Sequence, residues 1–341
     1  MATNKTSITT HANLWAGNLL LPLRLVLGWT YFSAFWRRLV LENKLDPDAA
    51  GYIGEKFNHF LPNALLIKPM IEYFVSNPEI LWWKLLAFTL IEGVVGLALM
   101  FGFMTRIAGL AVSGLALGIL LGAGWLGTTC LDEWQIGILG VAAGLSFFFA
   151  GGGRYSIDYS LRNRKMKPLM ALAFTTDNSI FERFGKVTAI AGVAALALTL
   201  GTNQYFHGGV WGKLHNKSVK PKFEITSVQF EDRAVSADFM RVEGPDVYGS
   251  FAVEFRVLDA SGKLVLSWDA AKLAAMSAGD ITNEYVAKVK PGARSLIFPL
   301  GAKARVTFRD AALDTLPVGS YEVELVDVSG KSWRAPFEVE S

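Results

Sequence analysis

Apolar positions are arranged in two ways along this chain. Over roughly the first 200 residues they run in long blocks with few charges, whereas from about Phe223 onward they alternate with polar positions. The blocks have the length of membrane-crossing helices, since a hydrocarbon core of about 30 Å takes roughly 20 apolar residues at helical rise. Five such blocks are expected, over residues 14–36, 83–104, 107–129, 134–152 and 187–205. The third carries no charge between Arg106 and Asp132, and the fourth none from Trp134 to Gly153. The first and second each keep one internal charge, Arg24 and Glu92. The first block does not read as a cleavable leader: it is too long, holds Pro22 and Arg24, and lacks a small-residue cleavage site.

Small residues suggest how these helices pack. Gly114, Gly118 and Gly122 recur at every fourth position of the third block, and Gly137, Gly140 and Gly144 lie near one face of the fourth. In lipid, where packing rather than water exclusion holds helices together, such residues permit close approach. The first four blocks are therefore expected to form a compact bundle. Gly122, Gly124 and Gly127 also match G-x-G-x-x-G, but they close a membrane helix and follow no strand, which argues against a dinucleotide site. The connection over 37–82 is half apolar and interrupted by Pro62, Pro69 and Pro78, a pattern for short interfacial helices that cap the bundle.

Period-two segments follow at 223–230, 233–241, 248–258, 263–268, 283–289, 294–299, 304–309, 319–327 and 332–339, with a helical excursion at 269–278. Turn signals such as Ser261-Gly262, Pro291-Gly292 and Ser329-Gly330 separate many of them. Short strands at this spacing predict a β-sandwich of immunoglobulin type. The expected fold class is thus a membrane α-helical bundle of four helices plus a fifth transmembrane helix, followed by an all-β immunoglobulin-like sandwich. The expected boundaries are 1–165, 166–207 and 208–341.

Composition agrees with two solvents in one chain. Of 341 residues, 52% are hydrophobic and 18% charged, below the roughly 25% charged of a soluble domain. A net charge of +3 is too small for a nucleic-acid partner, which takes a concentrated basic face. A single cysteine excludes an intramolecular disulfide, a cysteine zinc site and a C-x-x-C pair. His11, His59, His207 and His215 are too scattered for a sequence-local metal site, and no haem-attachment motif occurs, so any electron transfer takes a diffusible cofactor. Arg154, Arg162, Arg164, Lys165 and Lys167, with Arg183 and Lys186, make the connection between the fourth and fifth blocks strongly basic. Basic connections stay in the cytoplasm, so a multi-pass protein of the cell (inner) membrane is expected, with a cytoplasmic amino terminus and an extracytoplasmic β region.

A few residues could carry chemistry. An unpaired charge at mid-bilayer costs at least about 2.5–3.5 kcal/mol and is tolerated inside a bundle or a wet cavity, so Arg24 and Glu92 are expected to face each other. Gly28, Tyr31, Phe32 and Phe35 share the helical face of Arg24, with Trp29 and Trp36 close by. Aromatic rings over an apolar cleft with one cation and one carboxylate suit a quinone, Arg24 polarising a carbonyl oxygen and Glu92 delivering a proton. A structural ion pair and an interfacial aromatic belt account for the same residues. Arg37 and Arg38, at the outer end of the first block, either anchor it by snorkelling or form an anion site. Cys130 stands at an outer turn before Asp132, Glu133 and Trp134. The carboxylates and the preceding helix end disfavour its thiolate, and the following helix start favours it. Asp132 and Glu133 also suit the positive end of that helix dipole. Nothing in the β region reads as catalytic, and no histidine follows His215.

Several stretches carry a resemblance. Leu23-Arg24-Leu25, the run from Gly28 to Arg38 (GWTYFSAFWRR), Glu92 with Gly96, Gly102–Arg106 (GFMTR), Cys130–Gly137 (CLDEWQIG) and Gly151–Asp158 (GGGRYSID) resemble the DoxD subunit of thiosulfate:quinone oxidoreductase, within the wider DoxX group. The fifth block and the β region resemble the DoxA subunit, so the resemblance spans nearly the whole chain. It implies oxidation of two thiosulfates to tetrathionate, with two electrons passed to the membrane quinone pool and no metal. On that reading Arg37, Arg38 and Trp134 are candidates for the thiosulfate site, and Arg24 and Glu92 lie deeper toward a quinone lined by Trp29, Phe32, Trp36 and Arg106. Asp132 and Glu133 are candidates for proton entry, and Cys130 for a covalent thiosulfonate adduct. The expected partners are thiosulfate, the quinone pool, the lipid bilayer and a second copy or other respiratory subunits. The alternative is a non-enzymatic membrane subunit whose β-sandwich docks a redox or envelope partner. A transporter is a weaker reading, since no inverted repeat is evident.

Overall fold

In the computed structural model, residues 14–49, 51–123, 133–161, 185–215, 220–245 and 249–340 are described, without the side chains of residues 133–135 and 185. The helices are α1 (Leu21–Phe35), α2 (Ile53–Phe60), α3 (Lys68–Val75), α4 (Pro78–Phe101), α5 (Thr105–Ala123), α6 (Glu133–Ala150), α7 (Ile157–Leu161) and α8 (Gly185–Phe206). A helical turn over 14–19 precedes α1 and a π-helical turn, Trp36–Leu41, continues it. Pro22 sits in the first turn of α1, where its missing N–H has no intrahelical partner to lose. Among the described residues three helices are long and apolar enough to cross a membrane, Pro78–Phe101, Thr105–Ala123 and Lys186–Phe206; Ile136–Ala150 is a shorter apolar helix.

The chain divides into two compact units. One holds the described residues among 14–49, 82–123 and 133–214, and the other those among 51–81 and 215–340. In the helical unit, glycines let helices touch backbone to backbone. A Cβ on Gly96 of α4 would lie 2.5 Å from the Phe32 nitrogen, and one on Gly28 of α1 would lie 2.8 Å from the Gly96 carbonyl. A Cβ on Gly109 of α5 would lie 2.6 Å from the Gly144 carbonyl of α6, and Gly137 and Gly140 abut Leu120 and Ala116. The expected stripe on α5 is displaced, because a Cβ on Gly114 or Gly118 would meet no neighbouring atom within 4 Å among the described residues. The packing face is instead Gly109, Ser113, Ala116 and Leu120. Small residues mark two faces of α5, and only the position of α6 decides which one is used.

The second unit is built on two antiparallel sheets. One has the order β1-β2-β8-β5, from Lys222–Glu231, Ala234–Glu243, Lys303–Arg309 and Ile281–Asn283. The other runs β10-β9-β3-β7-β6, from Ser332–Val339, Gly319–Asp327, Phe251–Asp259, Leu296–Ile297 and Lys290–Pro291, with β4 (Leu264–Trp268) paired to β3. Inward positions of both sheets share one core, in which Phe255 of β3 stacks on Phe308 of β8 with centroids 3.6 Å apart. The expected strand over 283–289 is replaced by a loop. Asn283 bridges it, its amide donating to the Val289 carbonyl at 3.0 Å and its oxygen accepting from the Val289 amide at 2.6 Å. The excursion after Trp268 is a short helix, Ala270–Ala274, capped by Asp269.

Residues 51–81, with helices α2 and α3, belong to the unit of the β sheets. Asn58 of α2 is fully buried there. Its amide donates to the Gly301 carbonyl at 2.8 Å, and its oxygen accepts from the Ala287 amide at 3.1 Å. Tyr285 donates to Glu72 of α3 at 3.0 Å.

The two faces of α5 separate by substitution. Gly109→Ala forces a Cβ against the α6 backbone and is expected to destabilise by about 1–3 kcal/mol, as overpacking does. Gly118→Ala meets open space and gains about 0.5–1 kcal/mol of helix propensity. Thermal inactivation of the two variants in one detergent checks the difference, and equal midpoints would contradict the assignment.

Candidate functional site

Polar groups in the helical unit gather at two levels. At the first, Arg24 of α1, 2% exposed, donates to the carbonyl of Gly152 and, at 2.5 Å, to that of Tyr155. Gly102, held at a left-handed φ of +66°, lies against this guanidinium; a Cβ there would be 2.7 Å from Nη1. Asp158, at the start of α7, accepts from the Met104 amide at 2.7 Å, the Thr105 amide at 2.9 Å and the Thr105 hydroxyl at 2.6 Å. Burial pushes its carboxyl above the usual range, against the pull of these bonds and of Arg24. Arg106 donates to the carbonyls of Phe148 and Phe149, at 2.5 and 2.9 Å, in the last turn of α6. Together these bonds tie the Gly102–Arg106 turn to the Gly151–Asp158 turn. Arg24 and Arg106, expected beside a quinone, are both engaged with backbone carbonyls.

The second level holds Glu92 of α4, 3% exposed, in an ion pair with Arg38 of the π-helical turn. The expected pairing of Glu92 with Arg24 is therefore corrected. Because α1 and α4 pack with Gly28 at Gly96 and Phe35 at Gly93, Arg24 falls at the level of Gly102 and Arg38 at that of Glu92. Fourteen residues separate the two arginines, about 20 Å along a helix. The Arg38 guanidinium carbon lies 6.0 Å from the Phe88 ring centroid. Gly93 makes room for Phe35, whose Cγ would be 2.7 Å from a Cβ there. Beside the pair, Phe32 is 5.8 Å from Trp29, 5.8 Å from Phe35 and 5.9 Å from Trp36, centroid to centroid. Tyr31 is buried, whereas Trp29 and Trp36 are exposed. Arg37 is exposed and donates from Nε to the Ser33 carbonyl at 3.2 Å. A buried carboxylate, one guanidinium and a row of aromatic rings can hold a flat, apolar molecule with carbonyl groups and exchange a proton with it.

Cys130 and Asp132 lie outside the described residues. Glu133 and Trp134 open α6, and their side chains are likewise outside the description.

No sequence signal marks a cavity of about 360 Å³ in the second unit, lined in part by Lys68, Glu72, Glu224, Asp238, Tyr285 and Lys303. Its lining comes from separate segments, each polar in the ordinary way of a surface. Arg305 holds Asp238 through two bonds of 2.7 and 3.1 Å, and Lys303 pairs with Glu284 at 2.7 Å. Two lysines against three carboxylates do not suit a dianion. Among the described residues no cluster of His, Cys, Asp and Glu could hold a metal ion.

The family model described as TQO small subunit DoxD matches residues 19–179, and that described as TQO small subunit DoxA matches residues 206–336. Among solved structures, Pseudomonas fluorescens alkylpurine DNA glycosylase AlkC, bound to DNA containing an abasic site analog, aligns at 9% identity over 92% of this chain and 99% of its own. Its TM-score of 0.22 is too low to carry any argument on fold.

A double-mutant cycle distinguishes the two levels. Arg38→Gln with Glu92→Gln is expected to give a coupling of about 1–3 kcal/mol in thermal stability, and Arg24→Gln with Glu92→Gln to be additive within about 0.5 kcal/mol. Coupling in the second pair without the first would reverse the assignment.

Proposed function

The chain belongs to the DoxD and DoxA small-subunit families of thiosulfate:quinone oxidoreductase, joined in one polypeptide, and on that premise we propose that it oxidises thiosulfate to tetrathionate and passes the electrons to a membrane quinone. Two thiosulfate dianions form one S–S bond and release two electrons; the quinone accepts both electrons together with two protons and leaves as quinol. The observation that carries this reading is the ion pair of buried Glu92 with half-buried Arg38, beside the aromatic rings of Phe32, Phe35 and Trp36. Paired, the two groups rest in an apolar layer with no net charge. Glu92 is the group that can relay a proton to a quinone oxygen, and Arg38 then balances negative charge on that oxygen. This gives Arg38 the role expected of Arg24. Trp29 and Trp36, exposed on the same turns, form the apolar approach. Arg37 is the exposed guanidinium next to this site and, with Trp134, a candidate for attracting thiosulfate. Glu133 and Asp132 remain candidates for proton entry and Cys130 for a covalent intermediate.

A parity argument supports five crossings. Residues 51–81 and the β sheets form one compact unit, so both lie on the same side of the membrane. An even number of crossings must therefore separate Val75 from Lys222. With α4, α5 and α8 alone the number is odd, and counting the shorter α6 makes it four. Since α1 packs against α4, it supplies the fifth crossing and leaves the amino terminus on the opposite side. Basic residues such as Arg154 and Lys186 favour the cytoplasm for that opposite side. The β region, read as an immunoglobulin-like sandwich, is then extracytoplasmic. A tyrosine at the entry to β9, whose hydroxyl donates back to a carbonyl, supports that class: Tyr321 bonds to Pro317 at 2.9 Å.

Purified protein is expected to reduce a quinone analogue only when thiosulfate is present, with tetrathionate as product. Glu92→Gln is expected to lower turnover by about 10²-fold or more while the protein remains folded. Reduction independent of thiosulfate, or full turnover in Glu92→Gln, would contradict the proposal. Cys130→Ser separates a covalent route, which loses turnover, from a direct one, which keeps it. For topology, Ser76→Cys and Lys290→Cys in a Cys130→Ser background should react with an impermeant maleimide from the outer face of intact cells, and Arg154→Cys only after lysis. Labelling of Ser76→Cys and Lys290→Cys from opposite faces would overturn the parity argument.

A further inference from the structure

We propose that residues 53–75 are a docking platform that holds the β region of this chain without covalent help, and that α8 serves as a tether. This rests on contacts within the second unit and not on the proposed reaction. Asn58 is the peg. It is fully buried, donates to the Gly301 carbonyl and accepts from the Ala287 amide, so one side chain satisfies two backbone groups of the β region at once. Loss of either partner leaves a buried polar group without its bond. Gly301 fits the peg from the other side: its φ is +76°, and a Cβ there would lie 2.4 Å from the Asn58 carbonyl oxygen. A second bond, from Tyr285 to Glu72, fixes α3 beside α2. The contact joins the region matched by DoxD to the region matched by DoxA.

The covalent link has the opposite character. Only 6% of the most apolar stretch of α8 is buried, against 33% for α4 and 44% for α5. A Cβ on Gly192 or Gly201 of α8 would meet no neighbouring atom within 4 Å among the described residues. A helix whose apolar stretch is so little buried among the described residues sets reach, whereas the peg and its socket hold the β region against residues 53–75.

The test uses the full chain, folded before it is cut. A protease site is inserted between Gly212 and Lys213, where the connector is exposed and Gly212 stands in open space. After cleavage in detergent, which removes any hold by lipid, the β fragment is expected to co-elute with the helical fragment on size exclusion. Asn58→Ala is expected to release at least about tenfold more β fragment, as loss of about 1.4 kcal/mol would. Gly301→Ala, which keeps Asn58 but closes its socket, is expected to release it as well and serves if Asn58→Ala does not accumulate. Separation of the fragments in the otherwise unchanged protein would overturn the proposal. Wild-type retention in both variants would overturn the role of Asn58.

Discussion

An ionised side chain within an apolar helical layer has no water to turn to, and it must find its partner inside the protein. Among the described residues of the helical unit, Arg24, Glu92, Arg106 and Asp158 are the buried charges, and each has such a partner. Arg24 and Arg106 take backbone carbonyls left over where helices end, while Asp158 takes the amides left over where α5 begins. These bonds lock two connecting turns together. Glu92 differs, because its partner is a charged side chain. A carboxylate balanced by a single, partly exposed guanidinium can change protonation, whereas a guanidinium anchored on carbonyls cannot.

That difference assigns separate tasks to residues that look alike in sequence. Arg24 and the GRYSID-like turn carry much of the resemblance to the DoxX group, yet in the structure they form the seal at one end of the helices. The proposed chemistry falls to Arg38 and Glu92 at the other level, beside aromatic rings. In the second unit the same economy holds. Asp259 and Asp327 each gather amides of a D-x-S-G-K turn, and the left-handed Gly262 and Gly330 let those turns close.

Periodicity made the elements legible. The apolar blocks became α4, α5, α6 and α8, and strands such as β9 and β10 fall on the residues that alternation marks. What periodicity does not encode is the level at which one helix passes another. It identified Glu92 and Arg24 as costly charges but paired them with each other, because nothing local states that Gly28 meets Gly96 and so brings Arg38, not Arg24, to Glu92. The π-helical turn that presents Arg38 is invisible to a 3.6-residue period. Choosing between the two small-residue faces of α5 likewise required its neighbour. Asn58 gave no signal at all, since a lone asparagine in an amphipathic segment reads as a surface residue until its socket in a distant strand connection is known.

The central claim is that Glu92 exchanges a proton as the quinone is reduced. Redox-induced infrared difference spectroscopy of the purified protein with bound quinone tests it most directly. A carboxyl band that changes on reduction and is lost in Glu92→Gln is the predicted result. A spectrum identical in the two proteins would contradict the account.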